Sequence, residues 1–154
     1  MIVCTDSVLS GHTYSGESRM LPGVVKWLRE MGWIRPDSLL VQELPINGRR
    51  VDLAIMTKSG VLSSFELKLS GFARVLEQAS YNQLSFDKSW VVVGGNPRAD
   101  NLASANRFGI GVIVFNSESP RILMSPGKPN TDINLRSRLQ ERMMRIEVES
   151  VQQV

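Results

Sequence analysis

The 154-residue sequence predicts a mixed α/β fold, a central sheet that combines an antiparallel hairpin with a parallel crossover and is flanked by helices. Three observations carry that prediction. Apolar residues recur at helical spacing over 16–33, 72–86 and 134–148. Alternating or continuous β-prone runs fill the segments between. The resulting order is helix, three strands, helix, strand, helix, strand, closed by a last helix.

The first ten residues have no clear period and read as a short strand or an arm. From 16 to 33, Met20, Val24, Val25, Trp27, Leu28 and Met31 make an amphipathic helix, although Pro22 and Gly23 allow it to start as late as Leu21. Residues 39–46 read as a strand and 50–57 as a second, with Val51, Leu53 and Ile55 on one face. A third follows over 61–69. The second helix, 72–86, has no Gly or Pro and carries Phe72, Val75, Leu76, Ala79 and Leu84 in phase. Trp90-Val91-Val92-Val93 has the continuous character of a strand buried on both faces after a crossover. Asn96 and Pro97 look like the N-cap and first residue of a short helix ending near Phe108. Residues 110–115 read as a buried strand, 117–130 as a connection, and 134–148 as a helix whose stripe is Leu135, Leu139, Met143 and Ile146. The chain is read as one domain over 1–154, with its core at about 17–116.

With 42% hydrophobic and 21% charged residues, the chain can bury a sizeable core, which excludes a disordered tail and a disulfide-stapled scaffold. Its apolar runs fall far short of the ~18 residues that cross a bilayer. No membrane partner is expected, and the absence of a secretion-signal pattern makes the cytoplasm the expected location. Cys4 and His12 are the single cysteine and histidine, which excludes an internal disulfide and argues against Cys/His zinc sites and Ser-His-Asp or Cys-His chemistry. Catalysis would fall to carboxylates, lysine or a bound metal. A net charge of +3 admits a phosphate-rich partner without requiring one. Ser15-Gly16-Glu17-Ser18 is too short for a phosphate-binding loop and lacks its lysine, so no nucleotide cofactor is expected.

The informative stretch runs from 49 to 69. Lys58-Ser59-Gly60 fits a three-residue hairpin loop with glycine in the left-handed position. If Thr57 pairs with Val61, Asp52 lies opposite Glu66, Arg50 opposite Lys68 and Ala54 opposite Ser64, while Val51 meets Leu67 and Leu53 meets Phe65 on the other face. A slip of one residue would mix the apolar and charged faces. Opposed side chains have Cβ atoms roughly 5 Å apart, where two carboxylates repel unless a cation lies between them. Mg²⁺ or Mn²⁺ suits such a pair, and its retained waters can attack a phosphodiester. Lys68, two residues after Glu66 on the same face, can orient the attacking water or steady charge on phosphate.

Asp52, thirteen intervening residues, then Glu66-Leu67-Lys68, set in helix-strand-strand-strand-helix-strand order, resembles the PD-(D/E)XK nuclease superfamily, whose fold is that of type II restriction endonucleases. The resemblance implies a restriction-endonuclease-like core and metal-dependent DNA cleavage leaving a 5′-phosphate and a 3′-hydroxyl. Asp52, Glu66 and the main-chain carbonyl of Leu67 would be metal ligands and Lys68 the catalytic lysine. It also points, less specifically, to Glu17 in the first helix and to Gln78, with Tyr81 nearby, in the helix after the motif. Val51 stands where the family has proline. Small size and the Glu17, Asp52, Glu66, Lys68 order are similar to archaeal Holliday-junction resolvases, which act as dimers, so a homodimer is a further expectation.

Other readings stand beside these. Arg50, Asp52, Glu66 and Lys68 could form a solvated salt-bridge ladder, and a nuclease fold without catalysis could bind DNA or a protein partner. Glu17 suits a helix N-terminus on dipole grounds alone, and Gln78 and Tyr81 could be plain helix-surface residues. Arg49 or Arg50 could contact phosphate. Arg136, Arg138, Arg142 and Arg145 either edge a docking or dimer helix or track a phosphate backbone.

Overall fold

The computed structural model describes residues 2–4, 16–116, 120–128 and 130–152, with side chains over 19–116, 120–128 and 130–147. His12 and the side chains of Cys4 and Glu17 lie outside the described residues. The elements are β1 (Ile2–Cys4), α1 (Gly16–Glu30), β2 (Leu39–Ile46), β3 (Arg49–Met56), β4 (Leu62–Lys68), α2 (Phe72–Asn82), β5 (Lys88–Val93), α3 (Ala99–Phe108), β6 (Gly111–Val114), β7 (Arg121–Met124) and α4 (Ile133–Gln152). The strands lie in one mixed sheet in chain order. β2, β3 and β4 are antiparallel, β4, β5 and β6 are parallel through α2 and α3, and β1 and β7 flank them. This is the predicted α/β class, an antiparallel hairpin feeding a parallel crossover.

The hairpin loop forms as expected. Thr57 N–H donates to the Val61 carbonyl at 3.0 Å, and Gly60 closes the turn with φ +89°. The tip is pinned from above: Arg136 and Gln140 of α4 both donate to the Gly60 carbonyl. From there the pairs run Met56↔Leu62, Ile55↔Ser63, Ala54↔Ser64 and Leu53↔Phe65, the predicted register, and the ladder goes no further.

Its end has a cause. On the other side, the β2–β3 ladder skips the Glu43 and Asp52 position, where Glu43 has φ +53°, a conformation uncommon for a residue with a Cβ. Both strands change face there. Leu40, Leu53 and Ile55 pack under α1 with Phe65, Trp90 and Val92, whereas Leu44 and Val51 join Val41, Ala54 and Leu62 under Leu139 and Met143 of α4. Two expectations are thereby corrected: Val51 does not share a face with Leu53 and Ile55, and Asp52 does not pair with Glu66 as a continued ladder.

A third core lies under α2 and α3, where Val75, Leu76, Ala79 and Ala105 cover Val91, Val93, Val112 and Val114. Trp90 of β5 requires its neighbour on β6 to be glycine, because a Cβ on Gly111 would stand 2.4 Å from the indole ring. Other boundaries shift. α2 ends at Asn82 rather than Phe86, which leaves Leu84 exposed. α3 begins after an extended Arg98, not at Pro97. β7 falls in the segment read as a connection, four residues too short to show a period. The stripe of α4 is spent on the chain's own sheet: Leu139 and Met143 are buried there and Ile146 packs against them. Among the described residues, no helix is long and apolar enough to cross a membrane.

Candidate active site

The interruption at Asp52 creates the site. In a continued antiparallel ladder the Leu67 N–H would donate to the Val51 carbonyl. Instead it donates to Asp52 Oδ2 at 2.7 Å, so the carboxylate occupies the gap where β3 and β4 separate. β4 remains anchored on its other side by parallel pairing with β5 through Glu66↔Val91, Leu67↔Val92 and Lys68↔Val93. The ladder fails on the Asp52 side alone.

Glu66 points to the α2 side of the sheet. It is 3% exposed, and Asn82, in the last turn of α2, donates from Nδ2 to its Oε1 at 2.9 Å. Asp52 is its acidic neighbour and acts on it electrostatically. Two neighbouring carboxyl groups repel when both are ionised, which favours a proton or a cation between them. Burial is the largest influence on Glu66, followed by the charge of Asp52, and together they push its pKa up to about 8 against the smaller opposing effects of Asn82 and Arg49. Arg49, at the start of β3, lies over the exposed ring of Tyr81 with its guanidinium carbon 4.5 Å from the centroid.

The structure thus brings together Asp52, Glu66, Leu67, Arg49 and Tyr81 of the residues singled out in the sequence. Lys68 is half-buried at the end of β4, on the side of the strand that Glu66 takes by alternation. Arg50 is exposed, opposite Pro45 of β2. Gln78 is half-buried on α2, one turn before Asn82. Asn82 was not singled out, although an asparagine inside a predicted helix is a signal in itself, since it favours turns and caps over helix interiors.

Arg136 is elsewhere. It forms a two-point pair with Asp87, Nε to Oδ1 at 2.7 Å and Nη2 to Oδ2 at 3.0 Å, beside its bond to Gly60. That places it at the hairpin-tip end of β4, six residues from Glu66 and so roughly 20 Å away along the strand. Arg138 and Arg145 are exposed on α4 and Arg142 is half-buried.

The donor set is oxygen-rich and small. Among the described residues no three His, Cys, Asp or Glu side chains cluster as metal ligands, which leaves two carboxylates. Such a pair suits a cation that retains several waters, as Mg²⁺ does, better than one needing a complete protein cage. A cation bound between these acids would take the place of the proton that Glu66 otherwise holds.

No protein-family model matches the sequence, and no curated protein does. Among solved structures, a Silicibacter pomeroyi protein of unknown function superposes with a TM-score of 0.65 at 19% identity, over 92% of each chain. A repair endonuclease from Pyrococcus abyssi gives 0.50 at 13% identity, over 68% of this chain and 49% of its own. EndoMS in complex with dsDNA also gives 0.50 at 13%, over 74% and 50%. The fold is nuclease-like. The chain spans about half the length of the latter two proteins.

Proposed function

We propose that the chain is a metal-dependent DNA endonuclease of the PD-(D/E)XK type. The observation that carries this reading is the Asp52–Glu66 pair: two neighbouring carboxyl groups, one accepting the Leu67 N–H and the other buried, at the point where the hairpin ladder opens. The repair endonuclease and the dsDNA complex among the structures of similar fold support a DNA substrate.

Asp52 and Glu66 would hold Mg²⁺ or Mn²⁺, with the Leu67 carbonyl as a third oxygen. A strand residue directs its N–H and C=O to the same edge, and the Leu67 N–H already meets Asp52. When bound, the cation supplies Lewis acidity toward the scissile phosphate and lowers the pKa of an attacking water. Asn82 holds one oxygen of Glu66 and so fixes the carboxylate's orientation. Lys68 would steady the water or the charge that builds on phosphate. Arg49, supported by the Tyr81 ring, would contact a neighbouring phosphate. Glu17 and Gln78 are secondary members of the same reading, as are the exposed arginines of α4 along the DNA backbone.

The test is cleavage of supercoiled, linear and four-way-junction DNA with Mg²⁺ or Mn²⁺, comparing wild type with Glu66→Gln and Lys68→Ala. Chelator should abolish cutting, and each substitution should lower it at least about 100-fold. Absence of cutting by folded wild type that still binds DNA would leave a nuclease fold acting as a binding module.

A further inference from the structure

The α1 side of the sheet is uncovered at the hairpin end, because α1 stops at Glu30 and the chain turns away at Gly32 with φ +78°. A cavity of about 610 Å³ results, within the ~300–1,000 Å³ range of small-molecule sites. Its floor is apolar and aromatic, made by Ile55, Phe65 and Trp90. The last two rings are parallel to within 2° at 6.2 Å. One wall is the half-buried indole of Trp33, 5.1 Å from Trp90 and tilted by 41°.

The rim is cationic: Arg35, Lys58 and Lys88 surround the opening, against the single carboxylate of Asp37. Lys88 also feels Asp87, but that carboxylate is held by Arg136 and by the Leu62 N–H. Both sides of the opening are ordered by their own hydrogen bonds. The Ser38 hydroxyl accepts the Arg35 N–H at 2.9 Å, and the Thr57 hydroxyl accepts the Val61 N–H at 3.0 Å. A ligand would find the walls already formed, which lowers the cost of binding.

We infer that this cavity binds a nucleoside monophosphate, with its base against Trp33 and its phosphate among Lys58, Lys88 and Arg35. A purely apolar ligand leaves the three cations without a role, and a simple anion leaves the aromatic wall without one. A planar base that carries a phosphate uses both. The cavity is separate from the cleavage constellation: its floor lies on the α1 side of the sheet and Glu66 on the α2 side, toward the opposite end of β4. The inference does not depend on the chain being a nuclease.

All three tryptophans of the chain lie in one cluster, with Trp33 and Trp90 lining the cavity and Trp27 beside Trp33, so intrinsic fluorescence reports on it. The full chain would be titrated with adenosine 5′-monophosphate, adenosine and inorganic phosphate, with calorimetry in parallel. The nucleotide should change the fluorescence saturably with Kd below roughly 1 mM, and adenosine and phosphate should each bind at least about tenfold more weakly. The double substitution Lys58→Glu, Lys88→Glu, at two exposed positions, should weaken the nucleotide by at least about tenfold. Glu66→Gln should bind it as wild type does. The inference is overturned by an absence of saturable binding, by phosphate alone binding as well as the nucleotide, or by binding that is lost in Glu66→Gln and kept in the double variant. The last result would put the nucleotide at the cleavage constellation.

Discussion

The Asp52 carboxylate accepts the Leu67 main-chain N–H at 2.7 Å, in the place a neighbouring strand's carbonyl would otherwise take. Asp52 therefore has two separable tasks, one in the sheet and one in the proposed chemistry. Asp52→Ala leaves a main-chain donor without its acceptor and should cost about 1–3 kcal/mol of stability. Asp52→Asn keeps an acceptor oxygen and relieves the charge on Glu66, so it should stay within about 1 kcal/mol of wild type. Both should lose cleavage. Urea unfolding beside a cleavage assay separates the tasks, and equal stability losses in the two variants would show that the hydrogen bond to Leu67 contributes little.

Glu66 gives the metal-free protein a pH dependence of a definite sign. Its folded pKa of about 8 lies above the ordinary glutamate value of 4.5, so between those values the folded state binds a proton that the unfolded chain does not. Stability from this group is intact at low pH and declines as pH rises, by up to about 1.4 kcal/mol per unit across the window. Glu66→Gln removes this slope. In chelator, its stability relative to wild type should therefore increase from about pH 5 to about pH 8. Mn²⁺ should stabilise wild type at the upper end and leave Glu66→Gln unaffected. Parallel pH profiles for the two proteins would contradict the raised pKa.

The hairpin was legible because two independent constraints agree on it: the Lys58-Ser59-Gly60 loop and the burial of Leu53 and Phe65 on one face. The face change at Glu43 and Asp52 was not. A left-handed conformation at a glutamate has no compositional mark, and Val51 is equally apolar under α1 or under α4. Asp52 and Glu66 still meet, by a route that strict alternation does not describe: one carboxylate enters the gap between strands and the other rises from the β4 surface. The helix after the motif was legible from its apolar phase, and Asn82 lies four residues beyond Gln78 on the same face. What selects Asn82 is the position of Glu66 across the β4–α2 packing, which helical phase alone does not contain. The apolar stripe of α4 was likewise readable, but the surface it covers was set by the turn-tip contacts to Gly60.

Arg136 illustrates how a basic helix face divides into structural and solvent-facing members. Burial alone would raise the pKa of Asp87, but the hydrogen bonds from Arg136 and the Leu62 N–H outweigh it and hold the carboxyl below its usual value. The pair's contribution is therefore present above the ordinary aspartate range and lost as pH falls through the lowered folded value. Arg136→Ala should destabilise by about 1–2 kcal/mol at neutral pH, since it removes a charged two-point pair and a bond to Gly60. A double-mutant cycle with Asp87→Asn should give a coupling of about 1 kcal/mol at neutral pH that shrinks in acid. Zero coupling at neutral pH would reduce the contact to an incidental surface pair. DNA binding should respond in the opposite pattern. Arg138→Glu and Arg145→Glu, at exposed positions, should weaken binding and flatten its dependence on salt, whereas Arg136→Ala should leave the salt slope unchanged, because its guanidinium is already committed to Asp87.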